Sequence, residues 1–543
     1  MKRLNLILLI ILLILLGDLV YLYPKIGYSP TPVQWEVGSG WGRYYIITHG
    51  EIPHKEMAIT WQSNIRNYAT VDVLPKLLAA IINIVTGTVV FPYNDKFHQL
   101  FPWPGLIFLP IVVIAFYSKL SKSKIKEHSN LDIIVLYLFA MFPLASSTFS
   151  MSFGLTAANA VARALFLLLL SLFGSLYVEM SDMKKVMIFI LILFPFFYYH
   201  HTWSYYFLIY AFGISILSLL TGDAKRYNIF RVFVLTMVAF FTSAIYYSTN
   251  LLGNMKQIIL GLPKLFQTFF SVSSAMHVNR EYIGYTPFSS LYGYIQFIGS
   301  LLIISIVILF LIQYGSKRYS YKQNGTEKFL LYCILSQFFV GVGLFAWEGI
   351  LGVFSRFLEA LIYVTMLVSA YLLAIATGKL KNIVRIILIV IALLCIVSFL
   401  IYPYELNWLL TNGEARGLSF AGESIPKTEY IFSDFRLGPP LVYYNQLAIS
   451  TIDTYTQSAQ IVDEILERCY YNVSNPKLVL DKIFNTKEYY VLLSRLQSKK
   501  YLVDPSLQRF KPASKDFLER WNAQPGFDKI YSGEVVLFRR AVT

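Results

Sequence analysis

The chain has 543 residues, of which 56% are hydrophobic and only 14% are charged. Soluble domains carry about 25% charged residues, so this composition is that of a membrane protein. The net charge of +15 does not indicate nucleic-acid binding. Residues 403–543 hold 17 Lys or Arg against 16 Asp or Glu, so nearly all of the excess lies in residues 1–402. There it clusters in short loops, as the positive-inside rule predicts.

The first hydrophobic segment, Leu4–Leu22, follows two basic residues and precedes no small-residue cleavage site. We therefore predict a retained first transmembrane helix with its N-terminus in the cytoplasm. Residues 23–104 then form a long polar and aromatic loop outside the cell. Loops of this length between spans are usually functional.

Residues 73–91 are apolar enough to span the membrane, but a span there would move the basic segment 121–128 to the outside. We therefore predict an outer-surface or re-entrant helix over 73–87 and the second span over about 100–118. Nine more spans follow, at about 132–149, 153–178, 186–200, 203–221, 230–250, 289–313, 329–346, 352–376 and 383–402.

This arrangement predicts an α-helical polytopic membrane protein with about eleven transmembrane helices, N-terminus inside and C-terminus outside. Residues 1–402 form the transmembrane domain, with the long outer loop 23–104 and a second outer loop at 251–288 that suits an amphipathic surface helix. Residues 403–543 predict a small extracytoplasmic α/β domain. Its strands are expected over 428–438, 487–494 and 533–540, with helices over 439–451 and 462–470.

Several charged residues lie within or near the outer ends of predicted spans, where charge is costly and usually faces a cavity or a partner. They are Arg163, Glu348, Arg356 and Glu359. One interpretation is that Arg356 or Arg163 holds an anionic headgroup, since the planar guanidinium donates two hydrogen bonds to phosphate. The alternative is an internal salt bridge, for example between Arg356 and Glu359 on one helix face, or snorkelling of the charged side chains to the membrane interface.

His200 and His201 form the outer corner between two predicted spans, among aromatic residues. They anchor the chain at the membrane interface, or one of them binds a phosphate or sugar hydroxyl or carries a proton. Metal binding is disfavoured, because adjacent histidines point apart and no carboxylate is near in sequence. The three cysteines form neither a disulfide framework nor a metal-ligand cluster.

Glu36 lies in the first outer loop, in an aromatic and glycine-containing context between Trp35 and Trp41. We expect the two rings to shield this carboxylate and make it a stronger base, and aromatic faces also suit sugar rings. The alternative is a solvated loop carboxylate. Asp72 is expected to cap the surface helix. Further candidates to support the site or bind an acceptor are Arg43, Glu51, Asp72, His277, Arg280 and Glu348.

Four stretches resemble the GT-C superfamily of integral-membrane glycosyltransferases. WEVGSGWGRYYIITHGEIP (35–53) resembles the loop with the catalytic acid, and residues 75–87 resemble its surface helix. HHTW (200–203) resembles a histidine-rich outer corner, and SRFLEA (355–360) a helix end that contacts the donor phosphate. The usual acid is Asp, whereas this chain has Glu. The resemblance is to the uncharacterised archaeal and bacterial members of the superfamily. The WWDxG motif of oligosaccharyltransferase catalytic subunits is absent, so the resemblance does not extend to transfer of a whole oligosaccharide.

The resemblance implies an inverting transferase at the outer membrane face. Its donor is a polyprenyl-phosphate sugar in the membrane lipid, and its acceptor a glycan, lipid or protein. Glu36 is the expected base, and Arg356, Arg163 and a histidine are expected to hold the phosphate. No cofactor follows from the sequence, and a role for a divalent metal stays open. The alternatives are a multi-pass transporter and a non-catalytic scaffold. Convergence of Glu36, a histidine of 200–201 and Arg356 would favour the transferase.

Overall fold

A computed structural model describes the chain in segments that fall into two units. The first unit lies within residues 98–402, and the second comprises residues 73–86 and parts of 403–543. The described residues are 46–47, 50, 73–86, 102–122, 130–145, 157–199, 201–243, 291–317, 325–401, 412–426, 428–433, 437, 441, 447–450, 464–484, 488–498 and 513–540. The predicted first span and the loop 251–288 lie outside them.

Long helices dominate the chain up to residue 401. They are α1 (Val73–Thr86), α2 (Pro102–Lys122), α3 (Asn130–Ala145), α4 (Ala157–Val178), α5 (Met183–Tyr199), α6 (His201–Leu220), α7 (226–243), α8 (Leu291–Lys317), α9 (Gly325–Ile375) and α10 (Gly378–Ile401). Helix α1 confirms the helix predicted over 73–87, and its position at the outer surface stays a prediction.

The helices of the first unit are apolar on nearly all sides, as expected for segments that face lipid or one another. Within the described residues, four helical windows are long and apolar enough to cross a membrane: Val161–Val178, Trp203–Leu220, Phe297–Ser316 and Phe357–Ile375. A mostly helical membrane protein with a small sheet is therefore confirmed. The number of eleven spans and their orientation stay predictions.

Helix α9 doubles back on itself. In a straight helix, Gln337 and Phe357 would lie about 30 Å apart. Instead the Gln337 Nε2 atom donates to the Phe357 carbonyl oxygen at 2.7 Å, and the Tyr371 hydroxyl donates to the Glu327 carboxylate. The two arms of α9 therefore run antiparallel, in the ranges predicted as separate spans (329–346 and 352–376). No proline lies between them to interrupt the helical backbone.

Asp132, near the start of α3, is fully buried and joins three helices. Its carboxylate accepts from the Tyr117 hydroxyl of α2 at 2.9 Å. It also pairs with Lys381 at 2.6 Å and Arg385 at 2.7 Å, both on α10. The end of α2 and the starts of α3 and α10 therefore meet at one end of the bundle.

Asp223, between α6 and α7, forms a second such junction. It accepts from the Tyr177 hydroxyl at 2.7 Å and the Tyr332 hydroxyl at 3.0 Å, and it pairs with Lys328 at 3.0 Å. Lys119 of α2 donates to Ser175 of α4 at 2.7 Å, beside the same junction. The described parts of the predicted cytoplasmic loops thus share one end of the bundle, which we call the basic end.

We expect Asp223→Asn to lower the stability of the protein near neutral pH by about 2 kcal/mol, since the carboxylate accepts charge-assisted hydrogen bonds. Burial alone would raise the pKa of Asp223. The backbone N–H of Lys225 and the side chains of Tyr177, Lys328 and Tyr332 donate to it, so its pKa lies below the usual range. In the unfolded chain the pKa of Asp223 is about 4, and in the folded protein it is lower. The charged carboxylate therefore stabilises the fold above about pH 4, and this stabilisation is lost as the pH falls through the lower pKa of the folded protein.

The measurement for Asp223 is thermal unfolding of the purified full chain in detergent, at neutral pH and below pH 4. The difference in unfolding temperature between wild type and Asp223→Asn should become smaller in acid, because protonation of Asp223 then removes the charged carboxylate from the wild type as well. Asp528→Asn, at an exposed position of the second unit, is the control. An equal difference in unfolding temperature at both pH values would contradict the prediction.

The second unit contains a five-stranded sheet in the order β2-β1-β3-β5-β4. The strands are β1 (Tyr430–Ser433), β2 (Leu447–Ser450), β3 (Tyr489–Ser494), β4 (Phe527–Ser532) and β5 (Val535–Arg540). β1 pairs in parallel with β2 and β3, while β5 pairs antiparallel with β3 and β4. The three predicted strands are confirmed. The helix predicted over 439–451 is wrong at residues 447–450, because parallel pairing with β1 holds them as a strand.

Apolar clusters cover both faces of this sheet. On one face, Trp521, Phe527 and Phe538 pack with residues of the π-helix Leu466–Tyr471 and of α12 (Pro476–Phe484). The π-helix overlaps the helix predicted over 462–470 and extends one residue beyond it. Helix α13 (Phe517–Asn522) contributes Trp521. On the other face, helix α11 (Asn412–Ser424) packs against the sheet. All six residues of β3 are buried, as expected for a central strand covered on both sides.

Gly417 lets α11 approach β5 closely. A Cβ atom at this position would collide with the Cγ2 atom of Val535, which is itself fully buried. We expect Gly417→Ala to destabilise the second unit by about 1–3 kcal/mol through overpacking, despite the higher helix propensity of alanine. Thermal unfolding of the full chain measures this destabilisation, and Arg416→Ala, at the adjacent exposed position, is the control. Equal unfolding temperatures for the two variants would contradict this packing argument.

Candidate functional site

The described residues include only part of the predicted site. Arg163 and Glu359 are described with their side chains, and the backbone is placed for His201 at the start of α6 and for Glu348 and Arg356 within α9. The remaining candidates lie outside the described residues: Glu36, Arg43, Glu51, Asp72, His200, His277 and Arg280. Their roles stay predictions.

A buried ion pair joins α4 to the second arm of α9. The Arg163 Nη2 atom lies 2.6 Å from Glu359 Oε1, and the two side chains are 1% and 6% exposed. Desolvating two charges is costly, and only their mutual attraction and good geometry offset the cost. Ionisable residues deep in a membrane bundle therefore mark candidate functional positions.

Aromatic rings surround this pair. The Arg163 Cζ atom lies 5.7 Å from the centre of the Trp203 ring, within the range of a cation–π interaction. Trp203 makes edge-to-face contacts with Tyr206 and Tyr363, at 5.1 and 5.0 Å between ring centres. Trp203 and Tyr206 are three residues apart on α6, so they share the helix face turned towards α9. The rings exclude water from the ion pair and strengthen its attraction.

A hydrogen-bonded chain continues from this cluster into the first arm of α9. The Tyr210 hydroxyl, one turn beyond Tyr206 on α6, donates to the Gln337 Oε1 atom. The amide of Gln337 in turn donates to the Phe357 carbonyl at 2.7 Å. The beginning of the second arm is therefore held by the first arm at Phe357 and by α4 at Glu359.

The ion pair lies towards the end of the bundle opposite the basic end. Tyr177 of α4 reaches Asp223 at the basic end, and Arg163 precedes it by fourteen residues on the same helix, or about 21 Å. We call this opposite region the far end. The backbone of His201 lies there, two residues before Trp203, and so does that of Arg356, one helical turn before Glu359. The structure thus brings Arg163, His201 and Arg356 to one end of the bundle.

The sequence left an internal salt bridge open as the alternative for these charges, with Arg356 and Glu359 as one pair, and that pair stays a prediction. The structure shows Glu359 paired with Arg163, 196 residues away in sequence. No local spacing points to such a pair. The buried Trp203 was missed as well, although its helical spacing with Tyr206 and Tyr210 was a usable signal. Within the described part of the chain, no group of three or more His, Cys, Asp and Glu side chains is arranged to hold a metal.

No family model matches the chain, and no curated protein matches its sequence. The solved structures that are similar to it include two of an archaeal oligosaccharyltransferase. The archaeal oligosaccharyltransferase AglB from Archaeoglobus fulgidus, in complex with an inhibitory peptide and a dolichol-phosphate, is 11% identical with a TM-score of 0.51, and the match covers 92% of this chain and 69% of that chain. The Archaeoglobus fulgidus oligosaccharyltransferase in complex with Zn and sulfate is 13% identical with a TM-score of 0.47, over 85% and 63% of the two chains. The first likeness shows that this chain has a GT-C-like fold.

Proposed function

We propose that the protein is a membrane glycosyltransferase. It moves a sugar from a polyprenyl-phosphate donor to an acceptor hydroxyl at the outer membrane face. The observation that carries the proposal is the GT-C-like fold, shared over 92% of the chain with an enzyme whose structure holds a dolichol-phosphate. The loop and corner motifs of the sequence support it. The absence of the WWDxG motif separates the proposed activity from transfer of a whole oligosaccharide.

In the proposed reaction, Glu36 accepts the proton of the acceptor hydroxyl. The hydroxyl oxygen attacks the anomeric carbon as the bond from that carbon to the phosphate oxygen breaks. The polyprenyl phosphate leaves with the electron pair, and the single displacement inverts the anomeric carbon. Arg356, with His200 or His201, binds the phosphate and stabilises the charge that develops on it.

The proposal places the basic end in the cytoplasm, in accord with the positive-inside rule. The far end and residues 403–543 then lie outside, where lipid-linked sugars rather than nucleotide sugars serve as donors. The acceptor is a glycan, a lipid or a protein. Arg43, Glu51, Asp72, His277, Arg280 and Glu348 are proposed to orient this acceptor or to support Glu36.

The test uses the purified full chain in lipid nanodiscs with a panel of radiolabelled polyprenyl-phosphate sugars. We expect one donor to lose its label, by transfer to an added acceptor or by hydrolysis. Parallel reactions with EDTA determine whether a divalent metal takes part. Retention of the label on every donor, with protein that is folded by size-exclusion chromatography, would contradict the proposal.

A further inference from the structure

The Arg163 guanidinium is poorly placed to contact a substrate. Its side chain is 1% exposed, its Nη2 atom donates to Glu359, and the Trp203 ring lies beside it. A group that binds a donor phosphate needs access to the cavity in which the phosphate lies, and its charge should be available there. The Glu359 carboxylate already neutralises the charge of Arg163. Among the described contacts of Arg163, the one to Glu359 leads to the turn that carries Arg356.

Glu359 lies where such an effect would matter. It follows Arg356 by three residues, which is one turn of the second arm of α9. Two of the described contacts from outside the second arm reach this turn: the Gln337 Nε2 atom donates to the Phe357 carbonyl, and the Arg163 Nη2 atom donates to Glu359.

We infer that Arg163 and Glu359 are a positioning pair that fixes the first turn of the second arm of α9, and with it the place of Arg356 at the far end. This inference rests on the proposed function only for the role of Arg356 as the phosphate-binding residue. The pair acts on geometry and does not touch the donor. Removing either partner should therefore have the same consequence, because each is needed for the contact.

Cysteine labelling at residue 356 tests the positioning without any substrate. The three native cysteines are buried, so a maleimide reports on Arg356→Cys. We expect the labelling rate of this variant to rise at least about threefold when Glu359→Gln or Arg163→Met is added. The same rise is expected with both together, a combination that leaves no unpaired buried charge and should fold well. Tyr177→Phe is the matched control, because it removes a buried hydrogen bond at the basic end. Equal rates in all variants would overturn the inference.

Donor kinetics provide the second readout. A positioning pair predicts that Glu359→Gln, Arg163→Met and the double variant lower kcat/KM for the donor to a similar extent, on the order of 10- to 100-fold, because all three displace Arg356 from the donor phosphate. Direct binding of phosphate by Arg163 predicts another pattern. Arg163→Met would then raise the donor KM, while Glu359→Gln would leave the donor KM unchanged or lower it by freeing the guanidinium. That pattern would overturn the inference.

Failure of the proposed function is distinguishable from failure of this inference. If wild-type protein acts on no donor, the transferase proposal fails, whereas the labelling rates still show whether the pair positions residue 356. If wild-type protein transfers sugar and the labelling rates do not change, the transferase proposal stands and the positioning role is refuted.

Discussion

Glu36→Gln will reduce sugar transfer at least about 100-fold, if Glu36 is the base that accepts the proton of the acceptor. General-base catalysis typically contributes 10²- to 10⁴-fold to the rate. Glutamine keeps the size and much of the hydrogen bonding of glutamate but cannot take up a proton. The donor KM should stay near that of wild type, because the proposed contacts to the phosphate come from Arg356 and the histidines.

The measurement for Glu36→Gln is the rate of label transfer from the best donor of the panel, across a range of acceptor concentrations. Glu423→Gln, which removes an exposed carboxylate of α11, is the control and should transfer at the wild-type rate. Full activity of Glu36→Gln would assign the proton transfer to another group. A loss confined to the acceptor KM would instead make Glu36 an acceptor-binding residue.

Asp132→Ala will destabilise the helical bundle by about 3 kcal/mol. The carboxylate is fully buried and pairs with Lys381 and Arg385 while accepting from Tyr117. Removing one member of a buried ionic cluster leaves the others without their partner. The cations are about one-fifth exposed, so they partly recover hydration, which keeps the cost at the lower end of the range.

Unfolding of the full chain in mixed micelles of denaturing detergent measures the effect of Asp132→Ala. Asp182→Asn is the matched control, because Asp182 also pairs with a lysine, Lys185, but in an exposed turn. We expect no measurable change for this control, since exposed ion pairs contribute little. If both variants unfold at the same fraction of denaturing detergent, the stability of the junction of α2, α3 and α10 does not depend on Asp132.

The sequence predicts those parts of the fold that local patterns determine. Apolar runs locate the helices, and the loops rich in Lys and Arg predict that alternate helix ends share one side, as the contacts of Asp132 and Asp223 show within the described residues. Residues 489–494 and 535–540 are apolar and β-branched enough to predict strands. Residues 447–450 were predicted as helix, because only their pairing with β1 determines their conformation, and pairing is not local.

The candidate site is less predictable, because it depends on contacts between distant residues. Arg163 was recognisable as an unusual charge in a span, but nothing in its own neighbourhood identifies Glu359 as its partner. The i,i+3 spacing of Arg356 and Glu359 predicts a pair on one helix, and that pair stays a prediction. The contact between Arg163 and Glu359 depends on how α4 packs against α9, and that packing depends on the complete bundle.

The doubled-back shape of α9 also bears on how the protein enters the membrane. Both ends of this helix lie at the basic end. In the proposed orientation, with the basic end in the cytoplasm, the corner that carries Glu348 and Arg356 crosses the bilayer during insertion while both ends stay behind. Two apolar arms that insert together as a hairpin provide enough hydrophobic length to carry these charges across. Neither arm needs to be stable in lipid alone, because the Gln337 side chain of the first arm donates a hydrogen bond to the Phe357 carbonyl of the second arm.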